Sequence, residues 1–62
     1  MTVNIEGLGK ITASKDVLNY LSTALDCASI YGFQNNNETL SKIYSEISSA
    51  IFIALEEKGY YK

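Results

Sequence analysis

The sequence predicts a small, helix-dominated α+β domain in which an N-terminal β-hairpin packs on an antiparallel pair of helices, in the order β-β-α-α. Two observations predict this fold. Apolar and polar residues alternate on both sides of a glycine pair within residues 2–13, as in a half-buried hairpin. Two later segments then repeat apolar residues at three- and four-residue spacing, which is typical of amphipathic helices. At 62 residues the chain is expected to form one domain, residues 1–62.

The hairpin is expected to turn at the three residues Gly7, Leu8 and Gly9. In that register Ile5 faces Ile11, and every apolar strand residue lies on one face of the hairpin. The segment GLGKIT also resembles part of a phosphate-binding loop. Ile11 stands where that loop needs a hydroxyl, and a strand pattern follows instead of a helix, so the hairpin is favoured.

The first helix is predicted over residues 15–31. Ser14 is a suitable N-cap, and Gly32 can adopt the left-handed conformation that ends a helix, which would let Phe33 fold back on Ala28. Ser22 is expected on the polar, outward face. The predicted apolar arc consists of Val17, Leu18, Leu21, Ala24, Leu25 and Ala28.

The second helix is predicted over residues 38–58, after a link of asparagines in which either Asn35 or Asn37 can be the N-cap. Gly59 is the predicted stop signal, and Tyr60 is then placed to pack on the last turn of the helix. The predicted core arc consists of Leu40, Ile43, Tyr44, Ile47, Ala50, Ile51, Ala54 and Leu55.

The segment SSAIFIALEE, residues 48–57, is apolar almost all the way round the predicted helix. Phe52 and Ile53 fall behind the core arc, and one small hairpin cannot cover both sides of the helix. Exposed apolar patches of this kind mark interfaces. We therefore predict a homodimer or higher oligomer, with an interface drawn from Ser49, Phe52, Ile53, Ile30, Tyr20, Tyr31, Tyr60 and Tyr61.

The composition leaves few groups for catalysis or metal binding. The chain has no histidine and no arginine, and Cys27 is its single cysteine, so triads and Cys/His zinc sites lack their ligands. Cys27 is expected to be a small, buried hydrophobe. These features predict a protein that is not an enzyme and that uses no cofactor or metal.

The expected environment is the cytoplasm. The longest apolar run, residues 50–55, is far shorter than the roughly 20 residues of a membrane span, and the start lacks the pattern of a signal peptide. Five lysines against seven carboxylates make the chain slightly acidic, which argues against binding to nucleic acid or to an anionic membrane.

The function expected from these features is that of a non-catalytic regulatory or inhibitory module that occupies a surface of another protein. This profile is typical of small accessory proteins of bacteria, phages and plasmids. One alternative is a dimeric DNA-binding protein, because the strand–helix–helix order resembles the ribbon-helix-helix family. A second alternative is an oligomer that sequesters a small, planar, nucleotide-like ligand near Tyr60, Tyr61 and the residues Asn35 to Asn37.

Overall fold

The computed structural model describes residues 1–61, and Lys62 lies outside them. Its elements are β1 (Thr2–Ile5), β2 (Gly9–Thr12), α1 (Lys15–Gln34) and α2 (Glu38–Glu57). The predicted fold class is therefore confirmed: an antiparallel hairpin precedes two packed helices of 20 residues each. Neither helix in this part of the chain is long and apolar enough to cross a membrane.

The hairpin turns one residue earlier than predicted. The amide of Leu8 donates to the carbonyl of Ile5 at 3.1 Å, and Gly7 takes the positive φ of 83° that this turn requires. Val3 consequently pairs with Ile11, and Ile5 pairs with Gly9, so the predicted register is wrong by two residues. A shift of two leaves every side chain on its predicted face, and Val3 and Ile5 are buried.

The first helix begins as predicted, with the Ser14 hydroxyl accepting from the amide of Val17 at 3.2 Å. It ends three residues later than predicted, because Asn36 and not Gly32 takes the left-handed conformation, with φ 60°. The amide of Asn37 donates to the carbonyl of Gly32 at 2.8 Å, which completes a Schellman motif. The expected contact of Phe33 with Ala28 is also wrong, since Phe33 lies within α1 and is exposed.

Gly32 has a different role from the one that its position suggested. It is buried where the start of α2 passes α1. A Cβ at this position would lie 3.3 Å from the amide nitrogen of Ser41 and 3.4 Å from the carbonyl oxygen of Asn37. Gly32 is therefore a close-approach glycine, and not the end of the helix.

The N-cap and the stop signal of α2 are both among those that the sequence predicted. The side chain of Asn37 accepts from the amide of Leu40 at 3.3 Å, which decides between the two candidate N-caps. At the other end Gly59 has φ 76°, and the amide of Tyr60 donates to the carbonyl of Leu55 at 3.0 Å. The predicted stop signal and the packing of Tyr60 on the core are confirmed.

The core is small and lies between the hairpin and the helix pair. The hairpin packs through β1 chiefly on α2, and its Val3 and Ile5 join Leu18 of α1 in one core cluster. The molecule is a slab, with principal extents of 34, 24 and 15 Å. Within residues 1–61 the buried apolar side chains are Val3, Ile5, Leu18, Ile51 and Leu55.

Candidate protein-binding surfaces

A seam of serines holds the two helices together. The Ser22 and Ser48 hydroxyls lie 3.1 Å apart, and each also lies within 3.3 Å of the carbonyl oxygen of the other residue. One heptad further along α1 the same pairing recurs, because the Ser29 hydroxyl donates to the carbonyl of Ser41 at 2.8 Å. We call these four residues, Ser22, Ser29, Ser41 and Ser48, the serine seam.

The serine seam overturns the expected orientation of α1. Ser22 was expected on the outward face, but it is 4% exposed and Ser48 is 2% exposed. Small side chains let two helix backbones approach closely, and each hydroxyl finds a partner across the contact, so neither Ser22 nor Ser48 buries an unsatisfied hydroxyl. The helix therefore turns these serines inward and exposes Val17 and Ala24 of its predicted apolar arc, while Leu18 stays buried.

The outer face of α1 is apolar as a result. At about 100° per residue, this face points away from the serine seam. Exposure is 56% for Val17, 80% for Tyr20 and 69% for Tyr31, and Ala24 and Cys27 are exposed as well. Leu21 and Ala28 are half-buried at the edge of this face, and Leu21 also packs against the core. We call the following set the outer face of α1: Val17, Tyr20, Leu21, Ala24, Cys27, Ala28 and Tyr31.

Cys27 is a correction to the sequence interpretation. It was expected to be buried in the core, and the structure places it exposed on the outer face of α1 as a free thiol. The reason is the same rotation of α1: the side of the helix that carries Cys27 lies opposite to Ser22 and Ser29.

The outer face of α1 carries no charge. Between Val17 and Gln34 the only residue that is charged at neutral pH is Asp26, and its carboxylate accepts from the Ser48 hydroxyl at 2.7 Å, beside the serine seam. A solvent-facing helix surface normally carries charged residues opposite its apolar stripe, whereas a helix that is apolar outward is normally covered. This face has the composition of a buried surface.

A second apolar surface lies where the C-terminal residues meet the first turns of α1. The rings of Phe52 and Tyr61 stack with centroids 5.0 Å apart, and Tyr60 meets Tyr61 edge to face at 5.1 Å. The Tyr61 hydroxyl donates to the side-chain oxygen of Asn19 at 2.7 Å. We call Phe52, Tyr60 and Tyr61 the C-terminal aromatic patch.

The C-terminal aromatic patch is tied to α1 by a second hydroxyl. Tyr60 donates to a carboxylate oxygen of Asp16 at 2.8 Å. That hydrogen bond raises the pKa of Tyr60 above its ordinary value, and desolvation and the negative charge of Asp16 add to the effect. The chain's own C-terminal residues thus cover part of Phe52, which nevertheless remains 45% exposed.

The other residues predicted for an interface do not form one continuous surface. Ile53 is 55% exposed behind α2, and Ser49 is exposed one turn earlier. Ile30 is exposed on α1, outside the outer face defined above. Tyr20 and Tyr31 belong to that outer face, while Tyr60 and Tyr61 belong to the aromatic patch. The participation of all eight residues in an interface stays a prediction.

A groove of about 370 Å³ opens at the link between the helices. It does not unite the residues named for a small ligand, because Tyr60 and Tyr61 contact the opposite end of α1, roughly 25 Å of helix away from Asn35. Other tyrosines line the groove instead, and its lining consists of Ala28, Tyr31, Gly32, Asn35, Asn37, Leu40 and Tyr44. Within residues 1–61, no three acidic or cysteine side chains group closely enough to hold a metal.

The molecule exposes more surface than the average folded monomer of its mass. Its accessible area is 4553 Å², whereas a folded monomer of 6.8 kDa exposes about 3,950 Å². The excess of about 600 Å² approaches the roughly 800 Å² that one partner buries in a standard protein interface. Phe52, Ile53, Tyr20 and Tyr31 are exposed, as their place in the predicted interface implies. The exposure of Val17, Ala24 and Cys27 was missed, although the uncharged stretch after Asp16 was a usable signal.

The fold is a β-hairpin followed by a helical hairpin, and apolar side chains are exposed on two of its surfaces. Comparison of the chain with protein-family models, with curated proteins and with solved structures gave no match.

Proposed function

We propose that this chain is a non-catalytic protein-binding module that assembles with its own copies and occupies a surface of another protein. The observation that supports it most strongly is the outer face of α1, which is uncharged and apolar yet exposed. Eleven large apolar side chains are exposed among residues 1–61, against five that are buried, which is a distribution suited to a subunit and not to an isolated domain.

The two apolar surfaces suit two kinds of partner. The outer face of α1 has no charge to repel an identical face. The C-terminal aromatic patch is instead bordered by charged residues, with Lys15 and Asp16 at the start of α1 and Glu56, Glu57 and Lys58 at the end of α2. Two copies joined through that patch would have to desolvate some of these charges, which is unfavourable. We therefore assign the patch, with Ile53, to the target protein.

The DNA-binding alternative gains no support from the hairpin. In the ribbon-helix-helix arrangement a single strand pairs with the strand of a second subunit. Here β1 pairs with β2 of the same chain over four residue pairs. A small-ligand function has the groove near Asn35 in its favour, but that groove is open and lies at one end of the much longer apolar face.

The concentration dependence of thermal unfolding tests the proposed function. If assembly and folding are coupled, the melting temperature of the unmodified protein rises by roughly 5–10 °C between about 1 and 100 μM. A concentration-independent melt would contradict assembly. In parallel arms, a salt-dependent shift of duplex DNA would favour the DNA-binding alternative, and stabilisation by nucleotides at fixed protein concentration would favour the ligand alternative.

A further inference from the structure

We infer that two copies of this chain pack through the outer face of α1, with the two α1 helices antiparallel and the twofold axis passing beside Ala24. This inference deepens the proposed function, because it names the surface and the register through which the chain assembles. The occupant of the outer face is thus a second copy of the same chain.

The order of side chains along α1 points to that register. The outer face is centred on Ala24, and an antiparallel copy placed about it brings each large residue against a smaller one. Tyr20 then meets Ala28 of the other copy, and Leu21 meets Cys27. Val17 meets Tyr31, and the two Ala24 residues face each other. Alternation of large and small residues is what lets helix surfaces interdigitate without voids.

The open groove fits the same arrangement. Tyr31 lines it together with Leu40, at the end of the outer face. In the antiparallel register, Val17 of the second copy lies beside Tyr31 of the first copy. By symmetry, Val17 of the first copy lies beside Tyr31 of the second. The contact is isologous, and every residue appears in it twice.

The surface area is consistent with one such contact. For scale, the whole-molecule excess of about 600 Å², taken on each of two chains, amounts to about 1,200 Å², which is the lower limit for specific interfaces. The outer face contributes no charged group, so nothing has to be desolvated except the tyrosine hydroxyls, which can stay at the rim. A second copy is the occupant that the uncharged, self-complementary face fits.

A matched pair of substitutions tests the surface. Ala24→Glu places two carboxylates on the proposed axis, and it should weaken self-association by at least about 100-fold, because like charges are forced together in an apolar contact. Thr23→Glu adds the same charge one residue away, outside the outer face, and should leave the association unchanged. Both positions are exposed and glutamate is a good helix former, so both variants should remain helical by circular dichroism.

Cross-linking tests the register independently. In the Cys27→Ser background, Ala24→Cys should form an intermolecular disulfide on mild oxidation, since residues on the axis come within reach of each other. In the unmodified protein, Cys27 should not cross-link. Cys27 of one copy faces Leu21 of the other. The two Cys27 residues therefore lie about 9 Å apart along the helix axis, beyond the roughly 7 Å between Cα atoms that a disulfide spans.

The outcomes separate this inference from the proposed function. Loss of assembly in Ala24→Glu alone, with cross-linking at position 24, supports the inference. An oligomer that survives Ala24→Glu, or that cross-links through Cys27, overturns the inference and leaves the proposed function standing. A monomer at every concentration overturns both. If Ala24→Glu fails to fold, the cross-linking pattern decides.

Discussion

Ser22 and Ser48 face each other across the two helices with their hydroxyls 3.1 Å apart, and the Ser48 hydroxyl lies 2.7 Å from a carboxylate oxygen of Asp26. This pair sits at the centre of the helix contact, where a core leucine would otherwise be expected. The pairing of these two serines fixes the orientation of α1 about its own axis. In that orientation the outer face of α1 points toward solvent.

Enlarging Ser48 should force the helices apart. We expect Ser48→Leu to lower the free energy of unfolding by about 1–3 kcal/mol, because the added volume has no space in the seam. Ser48→Ala should cost about 1 kcal/mol, since only hydrogen bonds are lost. Ser45→Leu, at an exposed position one turn earlier, should change stability by less than about 0.5 kcal/mol. Urea unfolding measures all three, and a Ser48→Leu protein as stable as the unmodified one would contradict the close seam.

Asn36 should be replaceable by glycine but not by alanine. Its left-handed backbone, with φ 60°, is tolerated by asparagine and glycine and is unfavourable for alanine. We expect Asn36→Ala to lower the free energy of unfolding by about 1 kcal/mol and Asn36→Gly to leave it within about 0.5 kcal/mol. Gln34→Ala, inside the helix, is the control. Equal effects of the alanine and glycine variants would argue against the Schellman motif at this link.

The contact between Tyr60 and Asp16 should depend on pH in the alkaline range. The pKa of Tyr60 is raised in the folded state, so the stability it contributes is fully present below its unfolded pKa of about 10 and is lost as the pH rises through the higher folded pKa. We expect Asp16→Asn to bring this pKa down towards 10 in an absorbance titration of the tyrosines. Tyr60→Phe identifies which step of the titration belongs to Tyr60. An identical titration curve for Asp16→Asn would refute the contact.

Phe52→Glu should separate the two apolar surfaces. It removes the stacking with Tyr61, for which we expect a loss of about 1–2 kcal/mol in the free energy of unfolding and a change in the near-ultraviolet circular dichroism of the tyrosines. Because Phe52 lies outside the outer face of α1, the oligomeric mass should be retained. Ser49→Glu, one turn earlier on α2, should alter neither property. A monomeric Phe52→Glu protein that remains folded would show that the predicted Phe52 interface, and not α1, joins the copies.

The sequence predicted the fold because its strongest local signals are chemically unambiguous. The hairpin around Gly7, the Ser14 cap and the Gly59 stop are confirmed, whereas Gly32, which carries the same signal as Gly59, lies within α1. The hairpin register was missed by two residues, since the glycine pair permits more than one turn and the faces are the same in either case.

The candidate surfaces were less predictable, for a physical reason. Counting apolar residues placed Ala24 on the core arc and Ser22 on the outward face, whereas the structure exposes Ala24 and buries Ser22. A serine becomes a good interior residue only when a second serine lies opposite to satisfy its hydroxyl, and that pairing depends on how two distant segments pack. The same limitation hid the role of Gly32, whose missing side chain matters only because Ser41 passes close by.

Sedimentation equilibrium of the unmodified protein tests the central claim most directly, since it reports mass without labels or substitutions. Between about 1 and 100 μM we expect the weight-average mass to rise from that of one chain, 6.8 kDa, to that of two. A single species of one-chain mass across this range would contradict the claim that the outer face of α1 is covered by a second copy.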